Sequence, residues 1–167
     1  VEFWQVTQDG LDWSLEAAGL DDPSLRERLL ALYWELAAFP EVPQMLSDLA
    51  AQGQRLAILS NGSMGMLEGA VTSAGLDGQF EALLSVEEVG VFKPHRSVYD
   101  LVGSTLNVQP SEVLFVSSNC WDACAGAAYG FVSVWVNRDG APLDRLYGRP
   151  AHILRDLSAL PEFVAGL

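Results

Sequence analysis

Three short polar clusters interrupt an otherwise apolar chain, and each carries groups able to do chemistry. Ser60-Asn61-Gly62-Ser63 offers hydroxyls and amides that suit an anion. Lys93-Pro94 supplies a cation, and Ser117-Ser118-Asn119-Cys120-Trp121-Asp122 adds hydroxyls, an amide and a carboxylate able to steer or deprotonate water. Each cluster alone has a plainer reading. The first is also a helix cap, the second a surface loop, and the third a helix start with Asp122 well placed against the dipole. Their coincidence carries more weight, because all three come after short runs of strand type. Ligands in parallel α/β sheets bind beyond the carboxyl ends of the strands.

The elements that position these clusters follow from hydrophobic periodicity. Residues 3–19 and 24–37 read as helices, the second opened by Asp22-Pro23-Ser24 and both carrying apolar residues at helical spacing. Phe39-Pro40 breaks that pattern. Helices are then expected at 43–52, 64–74, 95–106 and 121–129. Strands are expected at 55–60, 82–86, 113–117 and 132–136, with a weaker one near 152–154. The alternation indicates an α/β fold with a doubly wound parallel sheet.

Bulk properties narrow the function classes. The 167 residues are 50% hydrophobic and 19% charged, enough for a buried core. Nine Lys and Arg against 22 Asp and Glu give a net charge of −13, which disfavours nucleic acid and anionic membrane surfaces as partners. No apolar run is long enough for a transmembrane helix. Cys120 and Cys124, four apart in a helix, suit two reduced thiols and a cytoplasmic setting. With two widely separated His, no His-based triad or metal site is expected.

The residues Leu56-Ala57-Ile58-Leu59-Ser60-Asn61-Gly62-Ser63, Val91-Phe92-Lys93-Pro94 and Leu114-Phe115-Val116-Ser117-Ser118-Asn119-Cys120-Trp121-Asp122 resemble motifs II, III and IV of the haloacid-dehalogenase-like superfamily. Tyr99, six residues after the lysine, and the Ser-Ser-Asn-x-Trp-Asp run bring the resemblance to the (S)-2-haloacid dehalogenases. Superfamily phosphatases resemble one another in an acidic Mg²⁺ ligand four residues before the second motif IV Asp. Here that position is Ser118, a poor ligand for a hard cation. The resemblance therefore implies metal-independent chemistry on a small 2-halocarboxylate, with no cofactor. It also implies a Rossmann-like core over 39–167 and part of a helical cap subdomain over 1–38.

The implied reaction is displacement of halide by an enzyme carboxylate, then hydrolysis of the resulting ester. Under it, the expected catalytic residues are Lys93, Asp122, Ser117, Asn119 and Tyr99. Lys93 would orient the nucleophile, with Tyr99 and Ser117 as supports and Asp122 and Asn119 serving the hydrolytic water. Ser60 and Asn61 are expected to bind the substrate carboxylate, although Asn61 also reads as a turn residue, and a helix N-terminus would assist them. Phe3, Asn119 and Trp121 would surround the halide and alkyl group. Trp121 and Phe3 read equally well as core, and Tyr99 as a packing ring. Relatives of this kind are often dimers, which exposed Trp4, Trp13 and Trp34 would allow.

The superfamily's first motif, Asp-x-x-Gly-Thr with its nucleophilic Asp, is not found in the sequence. The reading is that this motif and a halide-binding Arg lie upstream of Val1 in a longer polypeptide, or that a separate piece completes the sheet. The chain by itself is then expected to be inactive and to lack the first strand of its sheet, whose loss would cost on the order of 10 kcal/mol of burial. Two other readings stand beside the dehalogenase: a Mg²⁺-dependent phosphatase of the same superfamily, and an inactive remnant used as a binding module.

Overall fold

The computed structural model describes residues 2–167, which form seven α-helices and five parallel strands. They divide into two compact units, one comprising residues 2–39 with Leu56–Gly90, the other Pro40–Arg55 with Val91–Leu167. The fold is α/β with parallel sheets. Its five strands form a two-stranded sheet, β1-β2, and a three-stranded sheet, β3-β4-β5.

In the first unit, α1 (Phe3–Ala17) packs on α2 (Pro23–Ala31). Asp22 caps α2 by accepting from the Ser24 and Leu25 amides, and Pro23 occupies the first turn, where its missing N–H costs nothing. The sequence predicts that α2 continues to residue 37, but the helix ends at Ala31. Tertiary packing overrides the periodicity here. The Trp34 ring lies against Gly69, where an added Cβ would come within 3.2 Å of it, and the Leu36 carbonyl accepts from the Ser73 hydroxyl. Both partners belong to α4 (Met64–Ser73), which packs on β2. β1 (Ala57–Ser60) and β2 (Ala82–Ser85) pair in register, Ser60 opposite Ser85. The buried apolar side chains of this unit are Leu30, Met66, Leu67, Leu84 and Val86, with Ser85 buried beside them.

In the second unit, β3 (Leu114–Ser117), β4 (Val132–Val136) and β5 (His152–Leu154) pair in parallel. α6 (Cys120–Tyr129) packs on β3 and β4, and α5 (Arg96–Leu106) on α6. α3 (Val42–Ala51) lies against α7 (Leu160–Ala165). The core runs through Val98, Tyr99, Phe115, Cys124, Phe131, Val134 and Trp135. Two glycines make close packing possible. A Cβ on Gly126 would come within 2.5 Å of the Phe115 ring, and one on Gly148 would collide with the Cys124 carbonyl. Arg138, just past β4, pairs with Glu41 at the start of α3. No helix among the described residues is long and apolar enough to cross a membrane.

Candidate active site

Asp122 organises the second unit's polar site. It lies in the first turn of α6, where the helix dipole favours its charge, and its side chain is only 4% exposed. Three donors from three elements meet its carboxylate. The Lys93 ammonium reaches Oδ2 at 2.8 Å, the Ser117 hydroxyl reaches Oδ2 at 3.0 Å, and the Tyr99 hydroxyl reaches Oδ1 at 2.9 Å. A carboxylate offers about four lone-pair positions, and these donors take three of them.

Each donor arrives through a distinct local structure. Ser117 ends β3, and its Oγ also accepts from the Asn119 amide at 3.2 Å, which closes the turn into α6. Lys93 precedes Pro94 across a cis peptide bond. His95 then caps α5 by accepting from the Ser97 amide, an exposed structural role. Tyr99 stands one turn into α5 and is buried among the Phe115, Tyr129 and Phe131 rings, with centroids 5.8, 5.4 and 5.9 Å away. Burial first, and the Asp122 charge second, push its phenol well above the ordinary value of 10.0. It therefore stays a neutral donor. The Phe115 ring lies 5.3 Å from the Lys93 nitrogen, in cation–π range.

The sequence does not mark Phe115 as a site residue; alternation along β3 shows it only as core. Asn119 and Trp121 lie at the exposed start of α6, Asn119 as its N-cap and Trp121 with 37% of its surface accessible. Ser118 is exposed, and its carbonyl accepts from the Trp135 indole. Among the described residues, no group of three or more His, Cys, Asp or Glu side chains gathers as a cation site.

Ser60, Asn61 and Phe3 belong to the first unit. Ser60 ends β1, and its Oγ accepts from the Gly62 amide at 3.0 Å. Asn61 is half-buried in the same turn. Ser63 caps α4 by accepting from the Met66 amide. The expectation that this helix start assists an anion needs correction at one position. The Met64 amide already donates to the Glu87 carboxylate at 2.8 Å, so an internal acid occupies it. Ser85 and Glu87, both absent from the sequence-level candidates, brace this loop. Only the register of β1 with β2 reveals Ser85, because pairing sets it opposite Ser60. Phe3, half-buried on α1, lines an apolar groove with Val6, Leu11, Leu29 and Tyr33. Trp4 is also half-buried, edge-on to Tyr33 and Trp34, rather than exposed as expected.

Comparison with known proteins agrees with this architecture. Residues 4–130 match the model of the haloacid dehalogenase-like hydrolases, and the chain belongs to that family. It is 41% identical to (S)-2-haloacid dehalogenase 1 of Pseudomonas sp. (strain CBS-3) over 167 residues, 99% of this chain and 74% of that protein. The crystal structure of an L-2-haloacid dehalogenase is similar with a TM-score of 0.95 at 39% identity, covering 99% of this chain and 73% of that one. The L-2-haloacid dehalogenase of Xanthobacter autotrophicus, solved with chloropropionic acid covalently bound, gives a TM-score of 0.89 at 34% identity, covering 100% and 77%.

Proposed function

We propose that this chain serves hydrolytic dehalogenation of short-chain (S)-2-haloacids to (R)-2-hydroxyacids through an aspartyl-ester intermediate. The observation that carries the reading is the buried Lys93–Asp122–Tyr99–Ser117 network, in a chain whose relatives bear that activity in their names. The attacking carboxylate is that of the superfamily's first motif, which the sequence does not contain. The covalent adduct of the Xanthobacter relative supports an ester-forming step.

Asp122 anchors Lys93, whose ammonium stabilises and orients the attacking carboxylate. Tyr99 and Ser117 hold Asp122 by two further hydrogen bonds, and Asp122 positions the water that hydrolyses the ester. Asn119 assists that water, and its amide, with Trp121 and Phe3, forms the surroundings of halide and alkyl group. Ser60 and Asn61 take the substrate carboxylate by charge-assisted hydrogen bonds. The neutral Ser118, at the position of the phosphatases' acidic ligand, favours carbon–halogen chemistry without a divalent cation. We further read residues 1–38, of which Val1 lies outside the described residues, as part of a helical cap and 39–167 as the core, in a cytoplasmic enzyme. Exposed Trp13 and Trp34 are compatible with a homodimer.

The test is halide release from (S)-2-chloropropionate in EDTA by a protein containing this chain, beside phosphate release from small phosphate esters with Mg²⁺. Halide release in EDTA is expected. Phosphate release alone would overturn the reading.

A further inference from the structure

We infer that Ser85 is a positioning residue for carboxylate binding at the end of β1, acting through the Gly62 carbonyl to aim the Ser63 amide. The inference rests on the proposed function only for the identity of the anion, a 2-halocarboxylate. Ser85 is 1% exposed and closes β2 opposite Ser60. Its hydroxyl gives its one proton to the Gly62 carbonyl at 2.8 Å and accepts from the Glu87 amide at 3.2 Å, so both functions of the group are used.

The Gly62–Ser63 peptide is trans, as only Lys93–Pro94 is cis among the described residues. A trans peptide holds a carbonyl and the following N–H in opposite directions. Pinning the Gly62 oxygen to Ser85 therefore turns the Ser63 N–H the other way.

Several neighbouring donors are already spent. The Gly62 amide goes to Ser60 Oγ at 3.0 Å, the Met64 amide to Glu87 at 2.8 Å, and the Met66 amide to Ser63 Oγ at 3.3 Å. The Ser60 hydroxyl proton and the Ser63 N–H have no acceptor among the described residues. Two donors from one short, braced loop match the two oxygens of a carboxylate. Ser85 contributes by fixing the direction of one of the two donors.

The first measurement is titration of a ¹⁵N-labelled protein containing this chain with sodium propionate, an unreactive carboxylate, against sodium chloride. Propionate is expected to shift the Ser63 amide resonance. Ser85→Ala is expected to weaken propionate binding about tenfold, the effect of losing one well-aimed hydrogen bond, and Ser85→Thr to restore it. Should Ser85→Ala not fold, Ser85→Cys keeps the volume with a weaker donor and carries the same test. Unchanged propionate affinity in the variant, or no response of residues 60–63 in the parent, overturns the inference.

The second measurement is steady-state halide release from (S)-2-chloropropionate by a protein containing this chain. There the substitution raises KM about tenfold with little change in kcat. A merely structural role would lower the active fraction and leave KM unchanged. If propionate affinity follows Ser85 but no 2-haloacid is turned over, the dehalogenase reading falls and the role of Ser85 stands.

Discussion

Replacing Lys93 with Ala would leave the Asp122 carboxylate buried without its ammonium partner. The two side chains are 9% and 4% exposed, and breaking such a pair from one side costs about 3–5 kcal/mol. The double variant Lys93→Met with Asp122→Asn removes both charges and is expected to recover much of that loss. Thermal or denaturant unfolding of the three proteins checks this, and halide release should be abolished in both variants. Tyr99→Phe keeps the packed ring but removes one donor to the carboxylate, for an expected loss of about 1.5–3 kcal/mol. The same residue sets an alkaline limit. Its folded value is raised, so its contribution is complete below the ordinary 10.0 and lost as pH rises from there toward the folded value. Stability should fall above pH 10.0, and Tyr99→Phe should flatten part of that fall when tyrosinate absorbance and unfolding are followed together. Ser117 and Asp122 are visible in the sequence as polar residues after an apolar run. Phe115 beneath Lys93 is not, because a core aromatic leaves the same mark whether or not a cation rests on it.

At the scale of elements, α6 must lie close to β3 for Asp122 to meet Ser117. Gly126 permits this approach, since a Cβ there would come within 2.5 Å of Phe115. Gly126→Ala should cost about 1–3 kcal/mol by overpacking and disturb both Tyr99 and Lys93, which touch the same ring. A drop in melting temperature accompanied by lost activity is expected. Gly148→Ala should be worse, because its obstacle is the Cys124 backbone carbonyl, which no rotamer can move. The start of α3 is tied to the end of β4 by Arg138 and Glu41. The Arg138 hydrogen bond holds the Glu41 carboxyl below its ordinary 4.5. A depressed carboxyl stabilises above its unfolded value and loses that contribution as pH falls through the folded one. Glu41→Gln should therefore make the acid limb of the stability profile shallower below pH 4.5. Nearly all of these elements follow from periodicity and turn residues. The exception is the early end of α2, where Trp34 and Leu36 turn to pack on α4.

The whole molecule carries a net charge of −13, while its proposed substrate is an anion. Long-range repulsion should slow their encounter at low ionic strength. Salt shortens the screening length to about 10 Å at 0.1 M, so kcat/KM for a 2-halocarboxylate should rise modestly as salt is raised toward that range. A strong fall would instead indicate an attractive field around the entrance. Stopped-flow or steady-state halide release across a salt series separates these outcomes.

Composition and local patterning are properties of neighbours along the chain, and these determined the element order, the parallel α/β class and the three polar strand ends. Lys93, Asp122 and Ser117 stand out for the same reason, as each sits in a short polar motif, whereas Tyr99 is marked only by the family resemblance. Tertiary structure alone decided the rest. Ser85 faces Ser60 only through strand register, Glu87 reaches Met64 across 23 residues, and Gly126 has meaning only against Phe115. Contacts between residues distant in sequence depend on how elements pack in three dimensions, and no local spacing encodes that.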